Sequence, residues 1–161
     1  MSVLHIVLAL VTLQRVSELA LARTNTRRLL ALGGFEIDRA GYPLFVALHA
    51  GWLLSLALLV PPARPPSWPL LGFFGLLQLC RVWVVASLGR RWTTRLIVLP
   101  AAPPVRDGPY RFVRHPNYLI VAGEIALLPL AFGAVAIALV FSIANAALLG
   151  RRIRLEDRAL A

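Results

Sequence analysis

Apolar runs recur from one end of this chain to the other, and each of the first three is about as long as a bilayer is thick. They cover roughly residues 3–21, 43–60 and 68–88, close to the ~20 helical residues that cross a hydrocarbon core. A fourth run, Tyr118 to Gly150, holds 33 residues, with Pro129 and Gly133 near its middle. It predicts two short helices joined by a tight turn. A chain patterned this way folds as an all-α integral membrane protein, because a lipid-facing backbone must satisfy its own hydrogen bonds. We therefore expect about five transmembrane helices, the last two forming a short hairpin. Composition agrees: 59% of residues are hydrophobic before glycine is counted, against roughly 45–50% with glycine in soluble domains.

The segment Pro61-Pro62-Ala63-Arg64-Pro65-Pro66 cannot be helical and predicts a tight connection between the second and third spans. The first apolar run lacks a basic leader and a small-residue cleavage pattern, so it is expected to be a retained span. Cys80 is the single cysteine and lies in an apolar run, which excludes an internal disulfide or a cysteine-based metal site. The three scattered histidines give no further reason to expect a metal.

The net charge of +10 comes from 17 arginines and no lysine. Their placement explains them without nucleic acid. Four follow the first span (Arg23, Arg27, Arg28, Arg39). Six follow the third (Arg90, Arg91, Arg95, Arg106, Arg111, Arg114), and four lie in the tail (Arg151, Arg152, Arg154, Arg158). The opposite side carries only Arg64. By the positive-inside rule the fourteen are cytoplasmic, the N-terminus is outside and the C-terminus is inside. The expected location is the cytoplasmic membrane, with anionic lipids as neighbours. The chain reads as a single membrane domain, 1–161. Residues 1–88 form three spans, and 89–161 form a loop, a hairpin and a charged C-terminal helix.

Chemistry-bearing residues concentrate in two places. The first is Gly108-Pro109-Tyr110-Arg111-Phe112-Val113-Arg114-His115-Pro116-Asn117-Tyr118, at the mouth of the fourth span. Here a Gly-Pro turn precedes alternating aromatic and cationic residues, and Pro116 suits a helical first turn. Backbone N–H groups at such a start favour a carboxylate or phosphate. The second is Arg151-Arg152-Ile153-Arg154-Leu155-Glu156-Asp157-Arg158, in which Arg152 and Glu156 share a helix face. The loop from Gly89 to Pro116 between the two halves is long, basic and proline-rich. Its apolar stretch Leu96-Ile97-Val98-Leu99 argues against an idle linker.

Together these clusters resemble the isoprenylcysteine carboxyl methyltransferase family and its relatives among phospholipid methyltransferases. The shared positions are Gly108, Tyr110, Arg114, His115, Pro116, Tyr118, Arg152, Glu156 and Asp157. Gln14-Arg15-Val16-Ser17-Glu18-Leu19, Asn25, Tyr42-Pro43-Leu44 and His49-Ala50-Gly51-Trp52 resemble a bacterial branch of that family. Its members are associated with type III polyketide synthases and methylate alkylated pyrones or resorcinols. The resemblance implies S-adenosyl-L-methionine as methyl donor. It assigns Tyr110, Arg114, His115, Pro116, Asn117, Tyr118 and Glu156 to the cofactor, with a strip ending in Val105, and Arg152 to the neighbourhood of the acceptor. It also implies a polyketide synthase as a functional partner.

The residue types agree with that donor. Its sulfonium suits aromatic faces, its ammonium an acid such as Glu156, and its carboxylate a helix start with Arg114 and His115. No Gly-x-Gly-x-x-Gly follows a strand, which excludes a Rossmann-type cofactor fold. Four charged residues fall inside the predicted spans: Arg15 and Glu18 in the first, Arg81 in the third and Glu124 in the fourth. Each is costly in a bilayer and marks a function or a pairing. Arg15 and Glu18, near the cytoplasmic end, can pair or snorkel. Glu124 has two readings: pairing with Arg81, or acting as general base toward a phenolic or enolic acceptor. His49 is expected to be a packed helix histidine. The expected acceptor is a lipophilic molecule entering from the bilayer, O-methylated on an alkylated phenol or pyrone or on a prenylcysteine-like carboxylate. Phospholipid N-methylation and a small transporter component are the competing readings.

Overall fold

A computed structural model describes residues 2–100 and 102–160. Five helices account for most of the chain: α1 (Val3–Ala31), α2 (Tyr42–Leu59), α3 (Trp68–Leu88), α4 (Pro116–Ala131) and α5 (Val135–Leu160). Four are long and apolar enough to cross a membrane. α4, at 16 residues, spans about 24 Å, slightly less than the ~30 Å core. Proline occupies the first turn of α2, α3 and α4, where its missing N–H has no helical partner to lose.

The hairpin turn falls where Pro129 and Gly133 predict. Gly133 adopts φ 68°, its N–H bonds the Leu130 carbonyl, and the Ala134 N–H bonds the Pro129 carbonyl. This glycine-closed C-cap satisfies the last carbonyls of α4. The Pro-rich connection meets the same turn, since the Ser67 N–H donates to the Ala131 carbonyl at 2.7 Å. The hairpin is uneven. α5 continues through the whole Arg151–Arg158 cluster, and α1 likewise runs ten residues past its apolar stretch to Ala31.

A main core joins α1, α2, α3, α4 and the α4–α5 turn through Leu4, Leu8, Trp52, Leu56, Phe74, Ile125, Leu128 and Phe132. A smaller core at the Arg-rich end holds Ala22, Val84, Trp92 and Ile120, with Tyr110 packed against it. Leu10, Leu13, Leu58, Leu79 and Ile143 stay well exposed on outer helix faces, as expected where lipid rather than water is the solvent.

The loop from Gly89 to Pro116 is pinned rather than free. Two-residue strands β1 (Phe35–Glu36) and β2 (Ile97–Val98) pair antiparallel, Phe35 opposite Val98, and Leu96 is buried. The buried Asn25 amide donates to the carbonyls of Gly89 (3.1 Å) and Trp92 (2.8 Å). Thr26 and Thr93 share a hydroxyl bond. The apolar stretch Leu96 to Leu99 thus anchors the loop onto the α1–α2 connection.

Candidate functional site

The first turn of α4 and the charged end of α5 lie side by side. Tyr118, the third residue of α4, donates its hydroxyl proton to Glu156 Oε2 at 2.8 Å. It accepts from Arg152 Nε at 3.1 Å. One phenolic oxygen therefore bridges the two residues that α5 presents on one face. Arg152 is held further by the Thr94 carbonyl, to which Nη2 donates at 3.1 Å, and its guanidinium lies 5.2 Å from the Phe45 ring centre. His115 stacks on Tyr118, centroids 5.1 Å apart and planes 11° apart, with Nδ1 3.7 Å from Glu156. Arg114, largely exposed, stands 3.7 Å from Asp157.

Two further residues complete this end. Gly108 adopts φ 57°, and a side chain there would collide with the Ser87 hydroxyl on α3, so only glycine lets the 3-10 turn Gly108–Arg111 approach so closely. The turn places Tyr110 against the smaller core. Burial first, and then the Glu156 carboxylate, push its phenol up to about 12, so it stays a protonated hydrogen-bond donor at neutral pH. The Asn117 Oδ1 is buried without a partner among the described residues, next to the proline that opens α4.

The cluster brings chemically distinct groups together. A carboxylate, Glu156, stands beside the His115–Tyr118 stack, an unpartnered amide oxygen lies at Asn117, and a helix start and Arg114 are close by. Val105 precedes the Gly108–Arg111 turn by three residues. It lines an open cleft of about 760 Å³ with Ser87, Arg90, Arg91, Pro104 and Arg106.

Glu124 is not brought to this cluster. Six residues after Tyr118, it points about 120° away around α4. It is 1% exposed and fully engaged. Oε2 accepts from Arg15 Nη2 (2.8 Å) and Arg81 Nη1 (3.1 Å), and Oε1 accepts from Gln78 Nε2 (2.8 Å). Arg81 also reaches Glu18 through Nε (2.7 and 2.9 Å) and Nη2 (2.7 Å). Arg15 bonds Glu18 at 3.1 Å. Two guanidiniums and two carboxylates from α1, α3 and α4 thus close a network of zero net charge. A carboxylate with both oxygens occupied in this way is a helix-joining group, the pairing with Arg81 that is one of its two readings.

Thr94, Phe45 and Asp38 are the contributors that sequence reasoning missed. Asp38 is buried and accepts from Arg151 at 2.8 Å, tying α5 to the α1–α2 connection. An acid in a basic loop, beside Glu36, was the available signal for Asp38. For Thr94 there was none, because it holds Arg152 through its backbone carbonyl.

The sequence model of the isoprenylcysteine carboxyl methyltransferase family matches residues 70–161. A curated relative from Bacillus subtilis (strain 168), "Uncharacterized protein YpbQ", is 38% identical over 160 residues, covering 96% of this chain and 95% of the relative. No solved structure gives a significant match.

Proposed function

This chain belongs to the isoprenylcysteine carboxyl methyltransferase family, whose enzymes are membrane methyltransferases using S-adenosylmethionine. From that premise we propose that it O-methylates a lipophilic acceptor at the Arg-rich end of the bundle. The observation that carries this reading is the Tyr118 hydroxyl bridging Arg152 and Glu156. It joins the two sequence clusters into one polar floor beside apolar helices. Glu156 holds the donor's ammonium, and the helix start at Pro116 and Asn117, with Arg114, holds its carboxylate. The aromatic faces of His115 and Tyr118 suit its sulfonium, while Tyr110 and Val105 flank it. The donor supplies an electrophilic methyl group, and the protein's task is to align an acceptor oxygen with it. Arg152, fixed between Thr94 and Phe45, orients the acceptor.

The acceptor we favour is an alkylated phenol or pyrone. The segments Gln14–Leu19 and His49–Trp52 support it through their likeness to the polyketide-associated branch, and a polyketide synthase is the corresponding source of substrate. An apolar tail can remain in lipid while the head reaches the site. The rivals are a prenylcysteine carboxylate and a phospholipid amine. A transporter reading loses its motive, because the charges at bilayer depth satisfy one another instead of lining a path. The test offers each acceptor with methyl-labelled S-adenosylmethionine to the protein in bilayers. Label is expected in the ether of the alkylated phenol or pyrone. Label only in a prenylcysteine ester or a methylated phospholipid amine would refute the acceptor.

The site is cytoplasmic in this reading, with the N-terminus outside, on the strength of the fourteen-to-one arginine asymmetry. In a Cys80→Ser background, Ala63→Cys should react with an impermeant thiol reagent applied from outside, and Ala102→Cys should not. The reverse pattern would overturn the orientation.

A further inference from the structure

A hydroxyl acceptor must lose a proton as it is methylated, and Glu124 is occupied elsewhere. We infer that His49 is the general base that takes this proton, with Asn145 on the facing helix orienting the acceptor hydroxyl. This rests on the hydroxyl-acceptor reading above and deepens it by naming the residue that such a substrate requires.

The His49 ring is oriented by its own helix. Nδ1 lies 2.8 Å from the Phe45 carbonyl oxygen. A carbonyl only accepts, so the ring proton sits on Nδ1 and the neutral ring keeps a free lone pair on Nε2. The charged groups that act on this ring, Arg15, Arg81 and Glu124, are paired with one another and with Glu18, so the ring meets a network of zero net charge, and an apolar span favours the uncharged imidazole.

The ring's position follows from how α2 and α5 pack. They run antiparallel, with Arg152 over Phe45 at one level. Closer to the Arg-poor end, a Cβ on Gly51 would meet Phe141 at 3.6 Å. His49 lies between these two levels, four residues and so about 6 Å along the axis from Phe45. The facing stretch of α5 between Phe141 and Arg152 contains Asn145. Ser142, Asn145, Leu149, Arg152 and Glu156 follow one another at spacings of three and four, so they share one stripe of α5. Asn145 is 1% exposed, and its Oδ1 and the Ser142 hydroxyl have no partner among the described residues. Polar atoms buried without partners in a span call for a ligand that supplies them. A molecule whose hydroxyl head lies about two turns below Arg152 along α5 does so.

The step balances. The acceptor O–H bond breaks, and its proton goes to His49 Nε2. The oxygen bonds the methyl carbon, and the carbon–sulfur bond of the sulfonium breaks, leaving a neutral thioether. The imidazolium then releases its proton to water as the product departs.

The test compares wild type with His49→Phe and His49→Gln in bilayer discs. Without donor, wild type should bind an alkylphenol about tenfold tighter than its methyl ether, the worth of one hydrogen bond, and His49→Phe should lose that preference, while both variants bind S-adenosylmethionine normally. Transfer to the phenol should fall by roughly 10²–10⁴-fold, the usual contribution of general base catalysis. Should His49→Phe not fold, His49→Gln carries the test, since it keeps a polar side chain of similar reach but no basic lone pair. Undiminished transfer in either folded variant, or an undiminished preference for the phenol in folded His49→Phe, overturns the role of His49 alone. Donor binding without transfer to any phenol by wild type overturns the acceptor reading and this inference with it.

Discussion

Replacing Arg81 with leucine is expected to destabilise the folded protein by about 3–5 kcal/mol, the cost of breaking a buried ion pair from one side. Arg81 donates three hydrogen bonds to Glu18 and one to Glu124, and its guanidinium faces the Trp92 ring at 5.9 Å. Its loss leaves two carboxylates with Arg15 alone, and so an uncompensated negative charge at bilayer depth. The network also closes α1 onto the α3–α4 pair and reaches the loop through Trp92, so the Arg-rich end should loosen with it. The double replacement Arg81→Leu with Glu124→Leu removes one charge of each sign and leaves Arg15 paired with Glu18. It should be clearly more stable than Arg81→Leu alone, a non-additivity expected of residues in one network. Unfolding titrations in mixed micelles measure both. Wild-type stability in Arg81→Leu would contradict the role of the network. A Glu124→Gln protein that is fully stable yet inactive would restore Glu124 as the base.

The spans were legible because bilayer thickness imposes a length on apolar runs, and proline and glycine punctuate them. Trp68–Leu88 begins and ends where its apolar run does. α1 overshoots its run because Ala22 to Ala31 contains arginine, leucine and alanine, which favour helix outside a bilayer as well as inside. The β1–β2 pair was not legible, because two residues per strand carry no alternation. In the site, the residue types and the Arg152–Glu156 spacing could be read directly. Their meeting with Tyr118 could not, since it depends on how α4 and α5 pack. The same limit applied to Glu124. Its cost in the membrane was plain from sequence, but whether it faced the acceptor or Arg81 was an azimuth, and azimuth is set by packing.

The second large effect is expected at Glu156. Its carboxylate accepts the Tyr118 hydroxyl and stands beside His115, and its side chain is 23% exposed. Glu156→Ala should therefore leave the fold intact while removing the anion that we propose meets the donor's ammonium. Losing a hydrogen bond to a charged group costs about 1.5–3 kcal/mol, which is roughly tenfold to a few hundredfold in donor affinity. His115→Ala should weaken donor binding in the same direction. Arg152→Ala should impair transfer more than donor binding, because Arg152 is held toward Thr94 and Phe45 on the acceptor side. Calorimetric titration separates these outcomes, and wild-type affinity in both Glu156→Ala and His115→Ala would remove the site.

The central claim is that the start of α4 and the charged end of α5 form one donor site, and mapping where the donor sits tests it most directly. Radiolabelled S-adenosylmethionine is crosslinked to the protein in bilayers by ultraviolet light, and the labelled peptides are sequenced. Saturable label in the peptides holding Tyr110 to Tyr118 and Arg152 to Asp157, displaced by unlabelled donor and lost in Glu156→Ala, is the predicted result. Label that does not saturate, or that falls on α1 and α2 and spares both clusters, would contradict the claim.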